Sequence, residues 1–300
     1  MDELGGRVAV VTGGGSGIGR EIALELARAG MHVVVADIEE RAGAAVADEV
    51  RALGVRALAV RTDVADAASV AALADAAHVE FGTVHVLCNN AGVLIFGAVQ
   101  DLKVDDWRWV LGVNVFGVLN GVYTFLPHML ASGEPCHIVN TASIASLAGN
   151  GVYGVSKAAI LNISETMHGD LAGTNVGVTA LMPGMLNTKI VAAQRNRAPE
   201  YGEKADEPFG SEPVSFGVHP KYCGTRVREA ILAGELYAFA GVPEGTDEGL
   251  RTGPPARAAA LVAALDAGIV GKEEDPSVLA RAAQAMRRSG GGRPPGSSPG

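Results

Sequence analysis

Tyr153 and Lys157 stand four residues apart in "YGVSK", a spacing that puts both on one face of a helix. Tyrosine is too weak an acid to exchange protons at neutral pH unless its phenolate is stabilised, and a nearby ammonium ion does that. Alone, such a pair is common on protein surfaces, and its weight here comes from its company. Ser143 follows the apolar run "CHIVNTA", on a rim where a substrate carbonyl can lie. Asn114 is a polar residue inside the otherwise apolar stretch "WRWVLGVNVFGVLNG". "CNNAG", from Cys88 to Gly92, follows another apolar run and opens into "VLIFG".

A second constellation lies near the start. Residues 10 to 21 read "VVTGGGSGIGRE", with five glycines in seven positions. The strict G-x-G-x-x-G pattern fits in no register, whereas Thr-Gly-x-x-x-Gly-x-Gly fits on Thr12, Gly13, Gly17 and Gly19, with Gly15, Ser16 and Ile18 between them. The β-branched run before it predicts a buried strand, and Ile22, Ala23, Leu26 and Ala27 after it recur at helical spacing. A glycine-rich strand-to-helix turn offers unpaired N–H groups and a positive dipole end, which makes it a candidate pyrophosphate seat. Asp37 ends the next apolar run, 24 residues after Gly13. Its carboxylate can accept hydrogen bonds from the adenosine ribose and repels a 2′-phosphate. Neither Ser16 nor Ile38 supplies the basic group such a phosphate needs. These residues favour NAD over NADP.

The elements that must position these residues alternate along the chain. Apolar runs predict strands near 7–12, 32–37, 57–62, 84–88, 136–141, 176–182 and 235–240. Helical patterns fall near 17–29, 40–53, 66–81, 104–131, 152–172, 222–233 and 247–266. Alternation of this kind predicts an α/β fold, a doubly wound, Rossmann-like parallel sheet whose ligands lie at the carboxyl ends of the strands. The expected organisation is a dehydrogenase-sized domain over 1–270 with a substrate lid at about 184–220, then a tail over 271–300. The tail carries a helix capped by Asp275, and its last 12 residues are expected to be disordered.

Composition narrows the function. Three hundred residues with 48% hydrophobic and 19% charged content describe a globular chain. A net charge of −9 and a pI near 5.3 argue against a nucleic-acid partner. The first strand begins within a few residues of the start, leaving no room for a signal peptide, and no apolar run approaches a membrane span. Cys88, Cys136 and Cys223 are too widely spaced for a disulfide framework, and the seven histidines form no H-x-x-x-H pair, so no metal site is expected. The expectation is a cytoplasmic protein with reduced thiols.

With these motifs in their order, the sequence resembles the short-chain dehydrogenase/reductase family from about residue 5 to 265. The resemblance rests on the glycine pattern, Asp37, Asp63-Val64, Asn89-Asn90-Ala91-Gly92, Asn114, Ser143, Tyr153, Lys157 and Pro183-Gly184. It implies that Tyr153 is the general acid/base and that Lys157 grips the nicotinamide ribose and lowers the Tyr153 pKa. It also implies that Ser143 orients the carbonyl and Asn114 holds a water that relays protons. Asp63 and Val64 would lie against adenine, Asn90, Ala91 and Gly92 along the cofactor, and Thr188, beyond Pro183-Gly184, would bond its carboxamide. One departure is that Ser143 and Tyr153 are ten apart, closer than the family's usual spacing. Placing the deletion after "SIAS" keeps Ser143 as the match, and Ser146 is the alternative.

The resemblance also implies a homodimer or homotetramer, built on the helices that hold Asn114 and Tyr153. Gly117 and Gly121 would permit close packing there, or equally inside a core. Trp107 and Trp109 cannot share a helix face, so one is expected to pack inward. The lid sequences are similar to a subgroup that includes the Cα-dehydrogenases of lignin aryl-ether breakdown. Leu94 and Ile95 on one wall, with Met185 and Leu186 on the lid, are candidate contacts for a bulky apolar, aryl-bearing secondary alcohol. Arg195 and Arg197 are expected to be solvated. The competing readings are a dehydrogenase for a steroid, sugar or acyl metabolite, a non-catalytic NAD-binding protein, and an epimerase or dehydratase. The last would carry T-G-x-x-G-x-x-G, which this chain lacks.

Overall fold

The central β-branched runs become strands buried on both faces, as a sheet covered by helices on each side requires, while the two edge strands are only partly buried. The strands are β1 (Val8–Thr12), β2 (His32–Asp37), β3 (Ala57–Arg61), β4 (Val86–Asn89), β5 (Cys136–Thr141), β6 (Val176–Pro183) and β7 (Tyr237–Ala240). The helices are α1 (Gly17–Arg28), α2 (Glu40–Ala52), α3 (Ala67–Phe81), α4 (Val104–Leu111), α5 (Gly117–Ser132), α6 (Gly151–Asp170) and α7 (Lys221–Ala233). The computed structural model describes residues 1–147, 151–203 and 218–241, all within one compact unit, Met1–Leu250. The expected helix near 247–266, the boundary near 270, the tail, and Phe209 and Phe216 of the lid lie outside the described residues.

All seven strands are parallel, in the order β3-β2-β1-β4-β5-β6-β7. The period-2 alternation of strand side chains sorts them between two cores. Ala9, Val11, Val33 and Val35 pack with Ile22 and Leu26 of α1, Val46 and Val50 of α2, and Val227 and Ile231 of α7. Their neighbours Val8, Val10 and Val34 face the other way, onto Val70 and Leu73 of α3 and Phe125 and Met129 of α5. Strand order reverses between β1 and β4, and in doubly wound sheets a crevice opens at such a switch point.

The helix expected over 104–131 is present but not uniform. Between α4 and α5, Gly112–Phe116 form a π-helical turn, and Asn114 sits inside it, fully buried. Together Val104–Ser132 are long and apolar enough, by composition, to cross a membrane, with a mean hydropathy of 1.5. The expectation that no apolar run reaches such a length is therefore corrected. Here that helix packs against the sheet and α3, with Phe125 and Met129 in the core. Trp109 is the inward tryptophan of its pair. Gly117 and Gly121 also face inward. An added Cβ would lie 2.7 Å from Val64 Cγ2 at Gly117 and 2.2 Å from Asn89 Oδ1 at Gly121, so these glycines let the helix approach its own domain.

Candidate active site

The glycine loop is shaped for close approach. Gly13 and Gly17 adopt left-handed backbone, with φ of 62° and 53°. A Cβ on Gly19 would lie 2.1 Å from the Gly13 carbonyl oxygen, and one on Gly15 would lie 2.9 Å from Asp37 Oδ2. Ser16 precedes α1 in extended backbone and makes no side-chain cap, so the helix's first N–H groups are not taken up by it. Thr12 stands behind the loop as a brace. Its hydroxyl accepts the N–H groups of Asn90 (3.0 Å) and Ala91 (3.1 Å), while Asn90 Nδ2 donates back to the Thr12 carbonyl at 3.0 Å. Loop and "CNNAG" segment are thereby locked across the switch point.

In front of this frame lies an open cleft. Gly13, Ser16, Gly17 and Ile18 line one stretch of it, Asp37 and Ile38 another, and Asp63 and Val64 a third. Asn90, Ala91, Gly92 and Thr188 line it as well, whereas Thr12, Gly15, Gly19, Tyr153, Lys157, Pro183 and Gly184, also expected at the cofactor, are not among its lining residues. Asp37 Oδ2 accepts Gly15 N–H at 2.8 Å, and Oδ1 accepts Glu39 N–H at 2.9 Å. Burial raises the Asp37 carboxyl above its usual range, and these two backbone donors oppose the shift. Glycines no side chain can replace, an open helix N-terminus and a carboxylate at the far end fit a dinucleotide. Pro183 and Gly184 act through backbone instead: the Pro183 carbonyl accepts the Ser143 hydroxyl at 3.3 Å, and Gly184 N–H donates to Ala240 at 2.9 Å.

The proton-handling residues gather at the carboxyl ends of β5 and β6. Ser143 follows β5 and is buried, its Oγ also accepting Ala145 N–H at 3.1 Å. Tyr153 and Lys157 lie one turn apart on α6, with Lys157 Nζ 5.6 Å from the tyrosine ring centre. Burial pushes the Tyr153 phenol up to about 12, and its hydrogen bond with Ser143 pulls the other way. Lys157 is 2% exposed and burial takes it down to about 7, while Nζ donates to the Thr141 carbonyl at 2.7 Å. The expected lowering of Tyr153 by Lys157 is not seen in the protein alone: burial raises the phenol and Ser143 is what opposes it. Asn114 accepts Val93 N–H at 2.8 Å and donates to the Val93 carbonyl at 3.0 Å and to Ser156 Oγ at 2.9 Å. A Cβ on Gly92 would lie 3.4 Å from Asn114 Oδ1 and 3.5 Å from Lys157 Nζ, so the three converge. Ser146 is buried, and its Oγ makes no hydrogen bond to the described residues.

The segment expected as a lid departs most from expectation. Its described part contributes a 3₁₀ segment, Lys189–Asn196, to the cleft lining, started by a Thr188 side chain that accepts Ile190 N–H at 3.5 Å. Arg197 is not solvated: it is 5% exposed and donates to Asp106 Oδ1 at 2.6 Å. Arg195 pairs with Glu39 at 2.7 Å. Leu186 is not a pocket wall, because it packs in the main core with Val227 and Ala240. Leu94 and Ile95 are also buried, Ile95 against Trp109 and Val152, and Met185 is 55% exposed. Trp109, Val113 and Arg195 line the cleft without having been expected there, whereas Tyr201, an aromatic of the 184–220 segment expected to face the strand ends, does line it. Trp109 carried a sequence signal only as a candidate for inward packing. Cys88 is buried and its thiol is pushed up to about 12, which suits a small core residue and not a nucleophile.

A family model described as short chain dehydrogenase matches residues 7–199. The C alpha-dehydrogenase of Sphingobium sp. (strain NBRC 103272 / SYK-6) is 36% identical over 247 residues, covering 79% of this chain and 81% of that protein. The 1-deoxy-11-beta-hydroxypentalenate dehydrogenase of Streptomyces exfoliatus is 37% identical over 214 residues, covering 70% of this chain and 77% of its own. Among solved structures, a short chain dehydrogenase/reductase from Burkholderia phymatum in complex with NAD is similar with a TM-score of 0.75 and 42% identity, covering 80% of this chain and 90% of that one.

Proposed function

Because this chain belongs to the short chain dehydrogenase family, we propose that it uses NAD in preference to NADP to oxidise a bulky, apolar, aryl-bearing secondary alcohol to its ketone. The reaction class is hydride exchange between a nicotinamide cofactor and a secondary alcohol or ketone. The observation that carries the finer reading is the Asp37 carboxylate at the ribose end of the cleft, with no basic residue at Ser16 or Ile38.

The glycine loop, Asp63, Val64, Asn90 and Thr188 would hold the cofactor, which when bound would supply a hydride-accepting ring and, in its oxidised form, a positive charge. Ser143 orients the substrate oxygen by a hydrogen bond that strengthens as charge grows there. Tyr153 accepts the hydroxyl proton, and Lys157, held on the Thr141 carbonyl, lies beside the phenol, where its protonated form favours the phenolate. Asn114 fixes the Val93 backbone and so the turn that carries Gly92 past the lysine. The apolar substrate is supported by Met185, 55% exposed beside Pro183-Gly184, and by the resemblance of the lid to the Cα-dehydrogenases.

Exposed Phe116 and Tyr123, with Val155 of α6 also exposed, support assembly into a homodimer or homotetramer, and three buried free thiols support placement in the cytoplasm. NADH absorbance tests the reading, with 1-phenylethanol-type and aryl-glycerol alcohols beside sugars, short polyols and acyl thioesters. Higher kcat/KM on sugars or thioesters, or equal kcat/KM with NADP, overturns it.

A further inference from the structure

At the ribose end of the cleft two carboxylates meet the lid. Asp37 is turned inward by the Gly15 and Glu39 N–H groups. Glu39, two residues on, points its side chain at the lid: Oε1 accepts Arg195 Nε at 2.9 Å and Asn196 Nδ2 at 2.8 Å. These bonds span 156 and 157 residues of sequence. Lys189, at the start of the same segment, lines the same cleft and acts electrostatically on Glu39. Arg195 is preset by donating to the Lys189 carbonyl at 3.1 Å and the Ala192 carbonyl at 2.8 Å.

An arginine, a lysine and an amide converging beside an adenosine ribose are what a 2′-phosphate would need, because a guanidinium binds phosphate through two parallel hydrogen bonds. In this protein those cations are matched by carboxylates. Asp37 and Glu39 carry two negative charges against the two positive charges of Lys189 and Arg195. We propose that Glu39 is a second specificity-determining residue for the dinucleotide, which excludes a 2′-phosphate by occupying Arg195 and Asn196. The inference rests on the preference for NAD proposed above. It adds that the basic side of a 2′-phosphate site is already present in the Lys189–Asn196 segment, where Glu39 engages Arg195 and Asn196. Discrimination of this kind works by placing a like charge against the wrong ligand. The pair itself is half-exposed, so its contribution is to selectivity and hardly to stability.

Binding of NADH and NADPH, followed by nucleotide fluorescence without substrate, tests this in wild type, Glu39→Gln, Arg195→Met and the double variant. Glu39→Gln is expected to raise the NADPH-to-NADH affinity ratio by about tenfold, the change that 1.4 kcal/mol produces. In the double variant the gain is expected to vanish. Equal changes for both nucleotides in Glu39→Gln overturn the proposal, since the pair would then serve only to hold the lid. Persistence of the gain without Arg195 overturns it as well. Glu39→Ala repeats the test without the amide that Gln introduces, and the same two results decide it. A wild type that binds both nucleotides equally overturns the NAD reading, while the shift on Glu39→Gln still decides this one.

Discussion

Arg197 on the lid and Asp106 on α4 form an ion pair whose side chains are only 1% and 8% exposed, with Nη1 donating to Oδ1 at 2.6 Å. The other Asp106 oxygen accepts Lys103 N–H at 2.8 Å, and the guanidinium donates to the Tyr201 carbonyl and lies 5.4 Å over the Trp109 ring. The pair ties the end of the lid to the helix that leads to Asn114. Removing one partner strands the other charge away from water, at a cost of roughly 3–5 kcal/mol, whereas an exposed pair costs under about 1. Arg197→Met and Asp106→Asn should therefore each shift urea unfolding strongly, with much of the loss recovered when both are made apolar. Shifts of the exposed-pair size would show that the lid is not anchored there.

Tyr153→Phe keeps the ring and removes the transferable proton. Turnover should fall by about 100- to 10,000-fold, with NADH binding retained. The phenol is raised to about 12, so the fraction ionised grows with pH throughout the neutral range. Alcohol oxidation in the wild type should accordingly speed up from pH 7 to 9 and ketone reduction should not. Near-normal turnover in the Phe variant would remove Tyr153 from the mechanism.

The shortened segment between Ser143 and Tyr153 is tested by two alanine variants. Ser143 Oγ is hydrogen-bonded to Pro183 and Tyr153, and Ser146 Oγ has no partner among the described residues. Ser143→Ala should lower kcat more than it raises KM, because its bond strengthens in the transition state. Ser146→Ala removes a buried hydroxyl that satisfies nothing among the described residues and should leave stability unchanged or improved. The reverse order of effects on kcat would assign the carbonyl to Ser146.

Lys157 gives stability its own pH signature. Its folded pKa of about 7 lies below its unfolded value, so between pH 7 and about 10.4 the unfolded chain holds a proton that the folded chain has released. Stability then rises with pH across that window, and below pH 7 the buried ammonium carries its full penalty. Relative to wild type, Lys157→Met should be stabilised at pH 7, on the order of a few kcal/mol at most, and should lose that advantage toward pH 10. A difference in melting temperature that does not change with pH would contradict the burial of the charge. Activity should fall in the same variant, the cost of stabilising a functional site.

Strand and helix positions were legible because each is encoded locally: Val8 to Val11 and Val33 to Val35 are β-branched runs, and Ile22 to Ala27 repeat at helical spacing. Asp37 could be located because β2 ends where its apolar run ends. Partnerships across the chain could not be read this way. Nothing near Arg197 shows that Asp106, 91 residues away, will bury it, or that Glu39 will receive Arg195. Leu186 looked like a pocket residue from its place after Pro183-Gly184, and its burial depends on a bridge to Val218 and on α7. Glycines 117 and 121 fit two explanations until Val64 and Asn89 were seen against them.

The π-helical turn at Gly112–Phe116 sets local and global preference against each other. An α-helix turns about 100° per residue, so deleting one residue there would let α4 and α5 anneal into a single regular helix with better backbone bonding. The same deletion would rotate Asn114 away from Val93 and Ser156, or else swing α5 off the β4 surface that Gly121 lets it reach. The wide turn is therefore a point of frustration that tertiary contacts hold open. A chain shortened by one residue there should be more helical and less able to close the strand-end turn on which Lys157 and the glycine loop converge.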